Sequence, residues 1–137
     1  MKHERLDINQ TEYDFLRARI CHAMWCAFQM GAGQRWESEP SSSQIRSQMD
    51  GLKEWDRDPS MTPQQNHENW MRFKLAEGWQ YGPERNEARR ENPCLVDWDD
   101  LPSIEREKDS MDLFARAFAT EIIEDAIGST GVKQWTA

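Results

Sequence analysis

Apolar residues recur at three- and four-residue spacing in two long stretches of the chain. Leu16, Ile20, Ala23, Met24, Ala27 and Phe28 trace one stripe; Met111, Ala115, Phe118, Ile122 and Ala126 trace another. That period predicts amphipathic helices. The first is expected to begin at Thr11, where Asp14 completes a capping-box pattern, and to stop at Gly31 and Gly33. Its middle, CHAMWCAF, is apolar nearly all round, so it must be covered on more than one side, by the rest of the domain or by a second copy. The last helix is expected between Leu101-Pro102 and Gly128.

Between them the pattern is weaker. Ser41 to Ser43 favour a helix start after Pro40, and Ile45, Met49 and Leu52 form a thin stripe. Thr62-Pro63 with Gln65 reads as N-cap, first helical residue and box partner of a third helix. Trp70, Met71 and Lys74 share one side of that helix, which stops at Gly78. ERNEARRE is expected to make two short helical turns, ended by Asn92-Pro93. CLVDW, residues 94–98, reads as a short strand. The fold class is therefore mainly α: one small domain of about four helices with one or two short strands.

Composition narrows the function classes. The chain has 137 residues, a formal charge of -8 and seven tryptophans. That length suits one domain with a modest core. The acidic balance argues against broad nucleic-acid binding, which needs a basic face. No apolar run reaches membrane-span length and the N-terminus lacks a signal-type stretch, so a cytoplasmic protein is expected. Cys21, Cys26 and Cys94 lack framework spacing and read as reduced and partly buried.

Chemistry-bearing motifs are few. His3, His22 and His67 do not pair with other ligands at zinc spacing, and the Asp97, Asp99, Asp100 cluster lacks the glycine and distal glutamate of a calcium loop. No metal or cofactor is expected. There is no nucleophile elbow, phosphate loop or zincin motif, and Cys94 beside a proline is a poor place for an activated thiolate. The expectation is a non-enzyme. What remains is aromatic and basic: Trp79 and Tyr81 in GWQYGP, then Gly82, Arg85, Arg89, Arg90 and, one turn into the last helix, Lys108. A phosphorylated heterocycle needs such parts, a ring to stack on and a guanidinium fork for phosphate. The same residues also fit a core plug beside a solvated basic turn. One of the two rings is expected in the core and the other available to a ligand.

The stretch from His67 to Phe118 resembles the ryanodine-receptor (RyR) repeat domain. The resemblance rests on Asn69-Trp70, Gly78-Trp79, Tyr81-Gly82, Arg85, Pro93 to Val96, Leu101-Pro102 and Lys108-Asp109, in that order. Ala18-Arg19, Cys21-His22 and Trp36 are similar to the first part of small stand-alone RyR proteins of bacteria and phages. Ala23, Met24 and Trp25 depart from the polar residues found there. The organisation implied is a polar lead over 1–10, a helical pair over 11–58, the repeat over 59–128 packed on it as one domain, and a tail over 129–137.

The resemblance implies no catalysis. It implies a binding module for a nucleotide-derived signalling molecule, of cyclic-nucleotide or ADP-ribose type. Trp79 or Tyr81 would stack on the base, Gly82 would admit it, Arg85 and Lys108 would meet phosphate or ribose oxygens, and Cys94 would line the floor. A chain with little beyond the module favours sequestration, as by a phage sponge for a host immune messenger. The alternative is an assembly module. A homo-oligomer is expected, with His22 and Trp25 at an interface or pocket, and neither nucleic acid nor membrane as partner.

Overall fold

The computed structural model describes residues 7–128; the first six residues, with His3, and the tail with Trp135 lie outside the described residues. Four helices account for most of the described chain: α1 (Gln10–Gly31), α2 (Ser42–Arg57), α3 (Pro63–Ala76) and α4 (Ser103–Ile127). Each packs against its neighbours in a ring, α1 on α2, α2 on α3, α3 on α4 and α4 back on α1, and α2 and α4 also touch across the middle.

Side-chain caps set three of the four starts. Asn9, Ser41 and Thr62 each accept the backbone N–H three residues on, and Glu12, Gln44 and Gln65 return the bond. Helix α1 therefore begins at Gln10 and not at Thr11. Asn9 and Glu12 form a box two residues earlier than Thr11 and Asp14, and the Asp14 carboxylate is engaged by Arg17 instead. The polar lead thus ends before residue 10.

Small residues let α1 and α4 approach closely. Ala18, Cys21, Leu52, Ala115 and Ala119 form the central cluster, flanked by Ile45, Met49 and Met111. Tyr13, Ile123 and Ile127 form a second cluster toward the other end of α1. Arg17, 1 % exposed, ties three helices together: its guanidinium donates to both carboxylate oxygens of Asp56, to Asp14 and to Thr120 Oγ1.

Two expectations about helix faces change. The CHAMWCAF band is not apolar-covered all round, because Ala23 and Ala27 are exposed. Its other side is closed by the loop after α1, where Glu37 O accepts from His22 Nε2 at 2.9 Å and from Cys26 Sγ at 3.2 Å. On α4, Phe118 and Ile122 face solvent together with Phe114, while Asp109, Ala115, Arg116, Ala119, Ile123 and Ile127 are buried. The buried line carries a carboxylate and a guanidinium, which a stripe drawn through apolar residues cannot include.

The expected strand at 94–98 is corrected. Among the described residues there is no strand, only isolated bridges of Gln80 and of Asn86 to Glu91. Pro93 has no N–H to give a ladder. The neighbouring groups are satisfied locally: Cys94 N donates to Asn92 Oδ1, Leu95 N to Asn92 O, and Val96 O accepts from His67 Nε2 at 2.7 Å. One 3-10 turn, Trp98–Asp100, leads into α4. The ERNEARRE stretch forms a bridge and a turn, with Arg90 at φ 54.

Gly82 is buried at the centre of this region. A Cβ there would stand 2.5 Å from Glu91 Cβ. Gly82→Ala is expected to push the two segments apart and lower stability by about 1–3 kcal/mol, read as a lower urea midpoint. An unchanged midpoint would mean that the 80–91 pairing adds nothing to the fold.

Candidate functional site

The loop that follows α3 starts with a turn that only glycine takes easily: Gly78 has φ +88. The turn drops Trp79 into the core, 4 % exposed, with its N–H bonded back to Lys74 O. The indole carries two cations. Lys74 Nζ lies 4.7 Å and Arg85 Cζ 5.6 Å from the ring centroid. Two residues on, Tyr81 is 59 % exposed. The turn thus parts the two rings, and the Trp79 ring already has Lys74 and Arg85 against it.

Around this ring the chain gathers more charge. Arg46 of α2 donates to Glu77 Oε2 at 2.8 Å, and Arg90 donates to Glu77 O at 2.7 Å. Arg85 and Glu87 form a 3.6 Å pair in which both side chains are well exposed. Lys74 is buried and donates to Ser43 Oγ at 3.1 Å. Burial pushes its pKa down to about 8; Glu77 and Glu87 oppose that, and Arg85 and Arg46 add to it.

The other candidates sit apart from this ring or serve the fold. Gly82 admits the chain's own Glu91 side chain. Cys94 and Lys108 come together about Glu105. Lys108 Nζ pairs with Glu105 at 2.9 Å, Gln34 Nε2 donates to the same carboxylate, and Cys94 is pushed up to about 12 by burial and by Glu105. A thiol so placed stays protonated at neutral pH. His22 is buried, and its ring stacks on half-buried Trp25 at 5.7 Å. Two concavities lie elsewhere. A groove of about 540 Å³ is lined by Trp55, Thr120, Glu121, Glu124 and Asp125 among others; one of about 320 Å³ lies between Glu54 and Arg72; none of the eight candidate residues lines either.

A buried polar network joins α3 to α4. Arg116 Nη1 donates to Asn66 Oδ1, and Asn66 Nδ2 donates to Asp109 Oδ1 at 3.1 Å. His67 Nδ1 stands 3.8 Å from Asp109 Oδ2, with its ring against Trp70 and Trp98. Burial, with Asp112 and Glu105 adding, pushes Asp109 up to about 8 against the pull of Arg116 and Asn66. Gly51 of α2 makes room for this network, since a Cβ there would fall on the Arg116 guanidinium. Sequence reasoning missed Lys74 and Arg116 as buried groups. For Lys74 the signal was its helical position beside Trp70 and Met71.

The class is thus a four-helix unit whose third helix, following loop and fourth helix carry a buried polar network and a cation-loaded tryptophan. Residues 53–115 match the family model of the RyR domain. That span, which runs from within α2 to the middle of α4, is consistent with a RyR-repeat-type domain. Family positions from Asn69-Trp70 to Lys108-Asp109 fall inside it; Ser43 and Arg46 precede it. No described helix is long and apolar enough to cross a membrane.

Proposed function

We propose that this chain is a non-enzymatic binding module for a small nucleotide-derived signalling molecule, of cyclic-nucleotide or ADP-ribose type. It acts in the cytoplasm by sequestration, as a phage protein would to remove a host immune messenger. The observation that carries the reading is the loop after α3: a tryptophan loaded with two cations and, two residues on, a tyrosine left open to solvent. Tyr81 stacks on the base, and Arg85, 40 % exposed with one long ion pair, meets the charged part. Sequestration needs affinity alone, and bound ligand is returned unchanged.

Purified protein is denatured, and what it releases is identified by mass spectrometry. In parallel, thermal stability is measured against cyclic di- and trinucleotides, cyclic ADP-ribose forms and ADP-ribose. A shift that grows with concentration identifies the ligand. Tyr81→Ala and Arg85→Ala are each expected to weaken its binding about tenfold while leaving stability within about 0.5 kcal/mol, since both side chains are exposed. No ligand across the panel, or full affinity in both variants, sinks the reading.

A second reading, an assembly module, is favoured by α4. Phe114 and Phe118 stack at 5.8 Å and are 62 % and 44 % exposed, with Ile122 continuing the ridge. Contiguous exposed apolar surface marks interaction sites. Under this reading the protein is a homo-oligomer in light scattering and Phe118→Ser makes it a monomer. A wild-type monomer at high concentration removes it.

A further inference from the structure

We propose that Lys74 and Arg85 on the Trp79 ring, completed by Ser43 and Arg46 of α2, form a subsite for a phosphate-class oxyanion. The inference rests on the ligand-binding reading above. It assigns the charged end of the ligand to a composite site that reaches outside the RyR-matched span.

The starting observation is a buried charge that lacks a counter-ion. Lys74 is 4 % exposed. Its ammonium has three donors. One is taken by Ser43 Oγ, and the indole face of Trp79 faces the group; among the described residues it forms no ion pair. A buried cation in that state is costly, and natural sites pair it. The carboxylate beside it is already engaged, because Glu77 Oε2 accepts from Arg46. The remaining oxygen, Glu77 Oε1, is buried without a partner. The second cation on the ring, Arg85, has only its exposed 3.6 Å pair with Glu87, a contact worth little in water.

Lys74, Arg85, Arg46 and Arg90 thus meet two carboxylates, Glu77 and Glu87, in a chain whose net charge is -8. The local sign is opposite to the global one. The donors are an ammonium, a guanidinium and a hydroxyl from three segments of the chain. Ser43 Oγ accepts from Lys74, which leaves its own O–H to donate. Lys74 Nζ reaches Ser43 Oγ, and Lys74 and Arg85 both lie against the Trp79 ring; donors of such different shape suit a tetrahedral oxyanion with several acceptor oxygens better than a planar carboxylate with two. Arg85 is the solvent-facing member that an anion meets first; Lys74, on a flexible four-carbon stem, is the buried one.

The test uses sodium pyrophosphate as the probe, with sodium chloride at matched ionic strength as the control. Binding is followed by calorimetry and thermal shift on the full chain. Pyrophosphate is expected to stabilise the protein saturably. Lys74→Met keeps the stem and removes the charge, so the fold is expected to survive, checked by circular dichroism, while binding weakens at least about tenfold. Arg85→Ala is expected to weaken it as well. An anion beside Lys74 also raises its affinity for a proton. With Glu77, Glu87, Arg85 and Arg46 as the other charged groups around it, binding near pH 8 is expected to take up protons in Lys74-containing protein and not in the methionine variant. If pyrophosphate binds both proteins alike, the contact is an adventitious ion only and the proposal is overturned. If a nucleotide binds but Lys74→Met leaves its affinity intact, the subsite falls and the ligand reading stands. If pyrophosphate binds through Lys74 and no nucleotide binds, the subsite stands and the ligand reading falls. If nothing binds, both fall.

Discussion

Arg116→Met is expected to lower folding stability by about 1–3 kcal/mol, the range for leaving a buried hydrogen-bond partner unsatisfied. Arg116 is 5 % exposed and comes from the buried line of α4. It donates to Asn66 on α3 and is the cation whose field lowers both Asp109 and Asp112. Methionine fills much of the volume but supplies no donor. Asn66 Oδ1 would lose its partner, and two carboxyl groups already pushed up by burial would lose the charge that opposes it. Total stability of a domain this size is about 5–15 kcal/mol, so the loss is a sizeable fraction of it. Urea denaturation followed by circular dichroism measures the loss. A cost under about 1 kcal/mol would mean that the network is ornamental to the fold and that apolar packing alone joins α3 to α4.

Raising the pH from about 4 to about 8 is expected to remove several kcal/mol of stability through Asp109. Its folded pKa is about 8, pushed up first by burial and next by Asp112. In the unfolded chain it titrates near the ordinary value of about 4. Between those limits the folded protein holds a proton that the unfolded chain has released. Folding is then favoured by acid: the contribution is full below about pH 4 and is lost as the pH rises through about 8. Asp112 is raised by burial too and slopes the same way, so the decisive comparison is with Asp109→Asn. Asparagine keeps the oxygen that accepts from Asn66 and cannot ionise. The variant is expected to match the parent near about pH 3, below both pKa values, and exceed it near about pH 8.5. Parallel curves for the two proteins would mean that Asp109 is ionised in the fold.

Helix starts were legible wherever a side-chain cap was written locally. Ser41 with Gln44 and Thr62-Pro63 with Gln65 need no tertiary information to work. The cap of α1 was misread by two residues because two box patterns overlap there, and Asp14 has a stronger partner in Arg17, a contact completed by tertiary packing. The strand was misread because a short apolar run after a proline looks extended. Its backbone is instead satisfied by Asn92 and by His67, a residue 29 positions away from Val96. The face of α4 was misplaced for a related reason. Hydropathy assumes that charge seeks water, and here Asp109 and Arg116 satisfy one another's surroundings inside.

The candidate site was half legible. Proximity in sequence brought Trp79, Tyr81 and Arg85 into view, and glycine with proline signalled the turn that parts the rings. Lys108 could not be seen to be occupied, because Glu105 captures it only once α4 forms. Ser43 and Arg46 could not be seen at all, since only the packing of α2 on α3 brings them to Lys74 and Glu77.

The closeness of Gly51 to Arg116 also constrains how this sequence can drift. Gly51 has an ordinary helical backbone, and the nearest obstacle to a side chain there is the guanidinium that would occupy the same space. Among descendants of this chain the two positions are not independent. A lineage that loses the arginine frees position 51 to vary, whereas one that first gains even a methyl at 51 must displace a buried ion. Substitutions should therefore accumulate in one order, and relatives with alanine or larger at 51 should carry a shorter residue at 116.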